Sequence, residues 1–158
     1  MNPRIEIIEE KILLGMSMEM SIIKNKTFDL FSTFMPRKKE VSNSIGTDVL
    51  DLIIYPKDYF LKFNPTTHFT KWALVEVSDL ENTPTEMEYF ILPKGKYAVF
   101  SSPVSDNNQE IFTNIYTKWL PNSIYNLDDR PHFDILNEQI QRKDSTATQE
   151  IWIPIKNK

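Results

Sequence analysis

The sequence predicts an α+β fold whose sheet is mostly antiparallel, and three observations lead to this prediction. Many short segments are rich in Val, Ile, Tyr, Phe and Trp and are bounded by turn residues, which is typical of β-strands. Only two segments carry apolar residues at the three- and four-residue spacing of a helix that faces a core. Similar segments also recur in the same order in both halves of the chain. Strands interrupted by so few helices favour α+β over alternating α/β.

The elements follow from these patterns in order. Two helices are predicted at about 27–39 and 107–120, and each ends at a proline, because proline blocks continuation of a helix. Asp106 is the predicted N-cap of the second helix, and Gly95 is predicted to take a positive φ in a hairpin or strand-entry turn. The predicted strands are 4–8, 11–20, 48–55, 70–78, 86–92, 96–103, 132–137 and 149–155.

The recurrence predicts an internal repeat. Equivalent residues lie 85, 83 and 80 positions apart as the chain proceeds, as if loops were shorter in the second copy. We therefore predict a single domain over 1–158, built from repeats at about 1–82 and 83–158. A pseudo-twofold axis would relate these two strand-helix-strand-strand units and leave a central ligand groove between their helices. The matched pairs are Lys11 with Lys96, Phe31 with Tyr116, Phe34 with Trp119, Pro36 with Pro121, Asp51 with Asp134, and Trp72 with Trp152.

Composition excludes several classes of function. The chain has no cysteine and only two histidines, His68 and His132, so a Cys-ligated or multi-His metal site is excluded and no metal or cofactor is expected. A net charge of -4 disfavours direct binding of nucleic acid. The N-terminus has no signal-peptide pattern, and no apolar run approaches the roughly 18 residues of a membrane span, so we expect a cytoplasmic protein without membrane contact.

The second half resembles the GyrI-like effector-binding domain, which occurs at the C-terminus of AraC- and MerR-type regulators and as standalone proteins. The resemblance rests on the stretches YFILPKGKYAVF, WLPNSIYNLDDRPHFDIL and QEIWIPI, in this order and spacing. The first half matches only through the repeat. The matching residues are Pro93, Gly95, Tyr97, Trp119, Leu120, Pro121, Tyr125, Arg130, Pro131, Phe133, Glu150, Ile151, Ile153, Pro154 and Ile155.

The resemblance implies a groove that binds amphipathic compounds, often aromatic and in some members cationic. A buried acid after the Arg-Pro pair faces the pocket in some multidrug-binding members, and it maps to Asp134, where this chain has Asp in place of the usual Glu. In one interpretation Asp134 is the polar anchor of an apolar groove, since an unpaired buried ion is costly and a cationic ligand would neutralise it. In the other it is a strand carboxylate that pairs with Arg130 or a lysine, or that faces solvent.

Further candidates for ligand contact are aromatic, with one additional acid. Each of the aromatic residues could line the groove or anchor the core, and the acid could face the pocket or the surface. Because Trp72 and Trp152 hold equivalent positions in the repeat, both are predicted to face the same groove. The candidates besides Asp134 are Trp119, Tyr125, Trp72, Trp152, Tyr89, Tyr116 and Glu150.

The predicted function is that of a small-molecule effector-binding protein connected with transcription regulation or drug and toxin sensing. No helix-turn-helix segment precedes Ile5, so we expect action through a protein partner, a regulator or an enzyme, and not through a DNA-binding domain of this chain. One alternative is hydrolysis of ring-strained compounds by Asp134 and Glu150, with Tyr89 or Tyr125 as proton donor. Others are inhibition by protein contact and a groove closed by its own side chains. A binding role is favoured over an enzyme, and no catalytic residue is assigned.

Overall fold

The computed structural model describes residues 2–158, which form nine strands and a few short helices. The strands are β1 (Arg4–Ile8), β2 (Lys11–Met20), β3 (Val49–Ile54), β4 (Phe69–Glu76), β5 (Glu88–Leu92), β6 (Gly95–Pro103), β7 (Tyr125–Leu127), β8 (His132–Leu136) and β9 (Thr148–Asn157). The helices are α1 (Thr27–Phe34) with a 3-10 extension (Met35–Glu40), α2 (Asn108–Asn114) continued by a π-helical segment (Ile115–Trp119) and α3 (Leu120–Asn122), and α4 (Glu138–Gln141). All eight predicted strands and both predicted helices are present, whereas β7 and α4 were not predicted.

All nine strands join one antiparallel sheet, which confirms the predicted α+β class. The strand order is β1-β6-β9-β8-β3-β4-β2-β5, with β7 added to β9. Within this order the two halves are equivalent, with β1 corresponding to β5, β2 to β6, β3 to β8 and β4 to β9. Exchanging the corresponding strands and reading the sheet from its other edge gives the same order. The two halves therefore meet where β3 pairs with β8. The repeat boundary near residue 82 stays a prediction.

Two short links force the sheet to curl. Only two residues separate β1 from β2 and β5 from β6, yet β1 pairs with β6 and β5 pairs with β2. Because two residues span at most about 10 Å, the opposite edges of the sheet must approach each other. An ion pair of 3.5 Å between Lys94 and Glu9 joins the two links. Of the two alternatives for 92–97, the hairpin is therefore wrong, since β5 and β6 are not paired, and the strand-entry turn is correct, since β6 begins at Gly95.

The two faces of the sheet are buried in different ways. The helix-free face closes on itself around fully buried side chains such as Leu52, Leu74 and Tyr97. The other face carries two separate apolar clusters, one beneath α1 that contains Leu30 and Phe34. The second lies beneath α2 and contains Ile111 and Ile115. A strip of the sheet at the β3–β8 junction lies between these two clusters, and polar side chains can occupy it because neither apolar cluster covers it.

Two local predictions are corrected by hydrogen bonding and contacts. The N-cap of α2 is Asn107, one residue after Asp106, because its side chain accepts bonds from the N–H groups of Gln109 and Glu110. Gly95 does not have a positive φ, and glycine is needed there because a Cβ would collide with the guanidinium of Arg130. None of the helices within residues 2–158 is long and apolar enough to cross a membrane.

Arg130 lies two residues before β8 begins and is a structural clamp. Its Nη2 donates to the carbonyl oxygens of Lys96 and Ile155 at 2.5 and 3.1 Å, and its Nε donates to Asp128 at 2.6 Å. The guanidinium also lies 4.8 Å from the ring centroid of Tyr97. The Arg-Pro motif thus joins β6, β8 and β9, and it leaves Arg130 engaged away from Asp134.

Candidate functional site

Two carboxyl groups face each other at the centre of the helix-bearing face. Asp51 on β3 lies directly opposite Asp134 on β8. Side chains directly opposite in an antiparallel pair have Cβ atoms about 4.5–5.5 Å apart and lie on the same face. Their neighbours Leu52 and Phe133 alternate to the helix-free face and pack there. The alternation therefore aims both acids into the strip between the two apolar clusters.

Among residues 2–158, Lys71 alone compensates these acids directly. Nζ of Lys71 lies 3.4 Å from Oδ2 of Asp51 and donates to Oγ1 of Thr27 at 2.9 Å. Oδ1 of Asp51 is buried without a hydrogen-bond partner, and no group among residues 2–158 donates a hydrogen bond to Asp134. Burial, followed by the nearby charge of Asp51, raises the pKa of Asp134 to about 7, while Lys71 acts in the opposite direction. With both acids ionised, the group carries one excess negative charge.

Aromatic rings enclose the space beside the acid pair. Phe60 lies in the loop that follows β3 and stacks on Tyr116 with a centroid separation of 5.0 Å and an interplanar angle of 24°. The same ring is 4.8 Å from Tyr55 and 5.5 Å from His132. Tyr55 in turn meets the edge of His132 at 4.9 Å. Phe60 thus occupies the centre of an aromatic pocket contributed by both halves of the chain.

The polar atoms of this pocket are held neutral. Burial, with a smaller effect of Arg130, lowers the pKa of His132 to about 3, so its ring is an uncharged imidazole at pH 7. Its Nδ1 lies 3.4 Å from the hydroxyl of Tyr116, which can donate to it. Burial also raises the pKa of Tyr55 and Tyr116, which keeps both phenols protonated. The pocket therefore combines neutral aromatic walls with an acidic floor.

On the helix-bearing face, the structure joins Asp134 with only one of the predicted aromatic residues. Tyr116, within the wide π-helical turn, reaches the acid strip. Trp119 packs edge-on against Phe100 at 5.2 Å and near Tyr125 at 6.3 Å, as part of the core beneath α2. Tyr89 packs against the cluster beneath α1, and its hydroxyl donates to the carbonyl of Asn82 at 2.9 Å.

Three other predicted residues lie on the opposite face of the sheet. Trp72 packs against Phe90, and Trp152 stacks on Phe133 with a centroid separation of 5.1 Å. Glu150 forms an ion pair of 2.8 Å with Arg4. The two tryptophans do share a face, as predicted, but it is not the face of Asp134.

The predicted catalytic pairing of Asp134 with Glu150 is not supported, since the two acids lie on opposite faces. In the register of β8 and β9, Asp134 pairs with Ile151 and Glu150 with Ile135. Side chains alternate along a strand, so this register separates the acids. The predicted alternative in which Arg130 pairs with Asp134 is wrong too, because Arg130 binds Asp128.

The sequence interpretation missed most partners of Asp134. The repeat did match Asp51 with Asp134, and an antiparallel junction at the pseudo-twofold axis would have brought them together. His132 alternates with Asp134 on β8, and Lys71 lies on β4 opposite Ile53 of β3, so the register of these strands could have identified both residues. The alternation of Asp51 and Ile53 in the predicted strand 48–55 extends to Tyr55, whereas no periodic signal marks Phe60, which lies beyond the end of β3.

The fold and this enclosed acid-aromatic strip define an effector-binding domain of the GyrI-like type, which confirms the resemblance seen in the sequence. The family described as Cass2, integron-associated effector binding protein, matches residues 4–155, and the chain belongs to this family. No curated protein shows significant sequence similarity to the chain.

Solved structures share the fold at low sequence identity. SAV2435 bound to tetraphenylphosphonium has a TM-score of 0.67 and 16% identity, covering 99% of this chain and 94% of that one. An integron cassette protein from Vibrio cholerae has a TM-score of 0.67 and 16% identity, covering 98% and 96%. EcmrR in a complex with DNA has a TM-score of 0.71 and 12% identity, covering 99% of this chain and 58% of EcmrR.

Proposed function

We propose that the protein binds amphipathic aromatic cations at the acid-aromatic strip, with Asp134 as the anionic anchor. The observation that carries this proposal is the uncompensated carboxyl pair of Asp51 and Asp134, enclosed by aromatic rings. Buried charges require a partner, and Lys71 supplies only one positive charge for two acids. A bound cation completes the neutralisation, and the faces of Tyr55 and Tyr116 add cation–π attraction.

In the proposed binding mode, the ligand takes the place of the Phe60 ring. This ring stacks where an aromatic group of the ligand would lie, and 38% of the residue is exposed, so it can leave without unfolding the core. The loop around it contains no helix or strand between Ile54 and Phe69. An entering aromatic cation replaces one ring stack with another and adds a charge contact that Phe60 cannot make. The resulting preference is for ligands that are both aromatic and cationic.

The comparisons support this ligand class and a regulatory role. SAV2435, which shares the fold, is bound to tetraphenylphosphonium, an aromatic cation. EcmrR, of which this chain covers 58%, is seen with DNA. The proposed role is therefore that of a sensor or sequestering protein for toxic cations, which influences transcription through a partner protein.

The test is calorimetric titration with tetraphenylphosphonium and with tetraphenylborate, an anion of nearly the same shape. The wild-type protein should bind the cation and reject the anion. Asp134→Asn should weaken cation binding by about tenfold or more, because the Coulomb attraction between a carboxylate and a phosphonium centre about 6 Å away is roughly 2–3 kcal/mol at an effective dielectric constant of about 20. Glu150→Gln is the matched control, since Glu150 lies on the opposite face and should not affect binding. Equal affinity of wild type and Asp134→Asn for the cation would overturn the proposal.

A further inference from the structure

The helix-free face contains a cavity that the acid-aromatic strip does not use. Its volume is about 290 Å³, and it lies where β1 ends, β2 and β3 begin and β4 and β8 end. Its floor is apolar and consists of Leu50, Phe133, Ile135 and Trp152, with Ile8 and Ile45 at the sides. Ligand pockets usually measure about 300–1,000 Å³, so the cavity suits a compact molecule with one or two rings.

Strand alternation separates this cavity from the strip. Phe133 and Ile135 line the cavity, while Asp134 between them faces the helices. Phe133 and Trp152 stack on each other at an interplanar angle of 18°, and Arg4 lies 5.7 Å from the Trp152 ring centroid. The two aromatic residues are only 4% and 8% exposed, so they add apolar contact to the floor without offering a free ring face. A ligand in the cavity would therefore contact the back of the same strand without contacting the carboxyl pair.

The rim of the cavity has an unpaired negative charge. Lys11 and Glu76 neutralise each other at 3.4 Å on one side. Asp48 on the other side forms no ion pair and accepts no side-chain hydrogen bond within residues 2–158. Partial burial, followed by the charges of Glu150 and Glu138, raises the pKa of Asp48, while Lys38 acts in the opposite direction. Asp48 keeps its exposed side towards solvent, so a ligand can reach its carboxyl group.

We propose that this cavity is a second ligand site, which takes a compact aromatic amine with its ring in the apolar interior and its ammonium group at Asp48. The apolar floor supplies contact area for the ring, and the ammonium contributes the positive charge that the rim lacks. Arg4 cannot fill this role, because it is already bound to Glu6 and Glu150 at 2.9 and 2.8 Å. The site is independent of the proposed binding of bulky cations at Asp134.

The test compares 2-phenylethylamine with the neutral 2-phenylethanol by saturation-transfer NMR and calorimetry. The wild-type protein should bind the amine about fivefold more tightly than the alcohol, as expected for one partly exposed charge contact of about 1 kcal/mol. Asp48→Asn should remove this preference, whereas Asp134→Asn and the distant surface variant Asp106→Asn should retain it. Asp48 is exposed, so its substitution leaves the fold intact.

A second variant tests the cavity itself. Ile45 is 51% exposed and lines the opening, so Ile45→Trp should fill the cavity and abolish binding of both compounds without unfolding the protein. Tetraphenylphosphonium binding should be unchanged in this variant. Loss of amine binding in Asp134→Asn, with retention in Asp48→Asn, would overturn the second site while leaving the first one standing. Absence of saturable amine binding to the wild type would overturn it as well.

Discussion

Binding of an aromatic cation should depend on pH through Asp134. The free protein holds this carboxyl with a pKa raised to about 7 by burial and by Asp51. Only the ionised form attracts a cation, so the ligand must bind to the deprotonated fraction or displace the proton. Raising the pH from 6 to 8 therefore strengthens binding, and Asp134 is the group responsible.

The size of the effect follows from the same pKa. With a value of about 7, Asp134 is about 9% ionised at pH 6 and about 91% ionised at pH 8. The apparent dissociation constant scales inversely with the competent fraction. Affinity should therefore rise about tenfold between pH 6 and pH 8 and level off above that range. Below pH 6 it should approach the weak affinity of the neutral variant Asp134→Asn.

The assay is titration calorimetry with tetraphenylphosphonium at several pH values, in two buffers of different ionisation enthalpy. At pH 6 the wild type should release close to one proton for each cation bound, and at pH 8 it should release almost none. Asp134→Asn should bind weakly with no dependence on pH. A wild-type affinity that stays flat from pH 6 to 8, or a slope that survives Asp134→Asn, would refute the assignment of this pKa to the site.

The same shift governs stability in the absence of ligand. The pKa of Asp134 is higher in the folded protein than its ordinary value of 3.8, so folding is favoured while the group is protonated. That contribution is complete below about pH 4 and is lost as pH rises through about 7. The shift sets an upper limit of about 4 kcal/mol at about 1.4 kcal/mol per pKa unit. Asp134→Asn should thus raise the melting temperature more at pH 8 than at pH 5, which thermal denaturation at the two pH values measures. An equal change in melting temperature at both pH values would mean that the carboxyl is exposed and its pKa is not raised.

Two further predictions concern the loop and the clamp. Phe60→Ala should tighten tetraphenylphosphonium binding by about threefold to tenfold, because the ring stack that competes with the ligand is worth about 0.5–1.5 kcal/mol. Leu61→Ala is the control, since Leu61 is 83% exposed and its substitution should leave the affinity unchanged. Weaker binding to Phe60→Ala in calorimetry would mean that Phe60 assists the ligand. Gly95→Ala should destabilise the fold by about 2–4 kcal/mol in urea denaturation, since its Cβ displaces Arg130 and leaves buried polar groups without hydrogen-bond partners. Gly46→Ala has open space at the Cβ and a φ of 73°, so it should cost only about 1–2 kcal/mol, and equal losses for the two variants would argue against the clamp.

Local pattern was sufficient for most of the secondary structure. Alternating β-branched and aromatic residues marked all eight longer strands, because a strand that buries one face repeats every two residues. Strand β7 and helix α4 were not predicted, because three or four residues are too few to show a period. The hairpin expected at 92–97 failed for a different reason, since a short link between two strands does not reveal whether those strands pair.

The candidate site was predicted in part. Asp134 and Tyr116, both candidates from the sequence, lie near each other in the structure, and their role in binding a ligand stays a prediction. The matched position of Asp51 was visible in the repeat. Trp152 and Glu150 were assigned to the same groove, although the pairing of β8 with β9 turns them to the other face. A register shift of one residue would reverse this outcome, and the register depends on contacts between distant segments.

By itself, the amino-acid sequence determined the α+β class, the order of the strands along the chain and the family, because these depend on local periodicity and on motifs within short stretches. It also determined that Asp134 faces away from Phe133 and Ile135. Only the tertiary structure decided that Asp51 stands opposite Asp134 and that Phe60 fills the space beside them. Those contacts join residues far apart in the chain, and their geometry follows from how the two halves of the sheet meet, which no local pattern encodes.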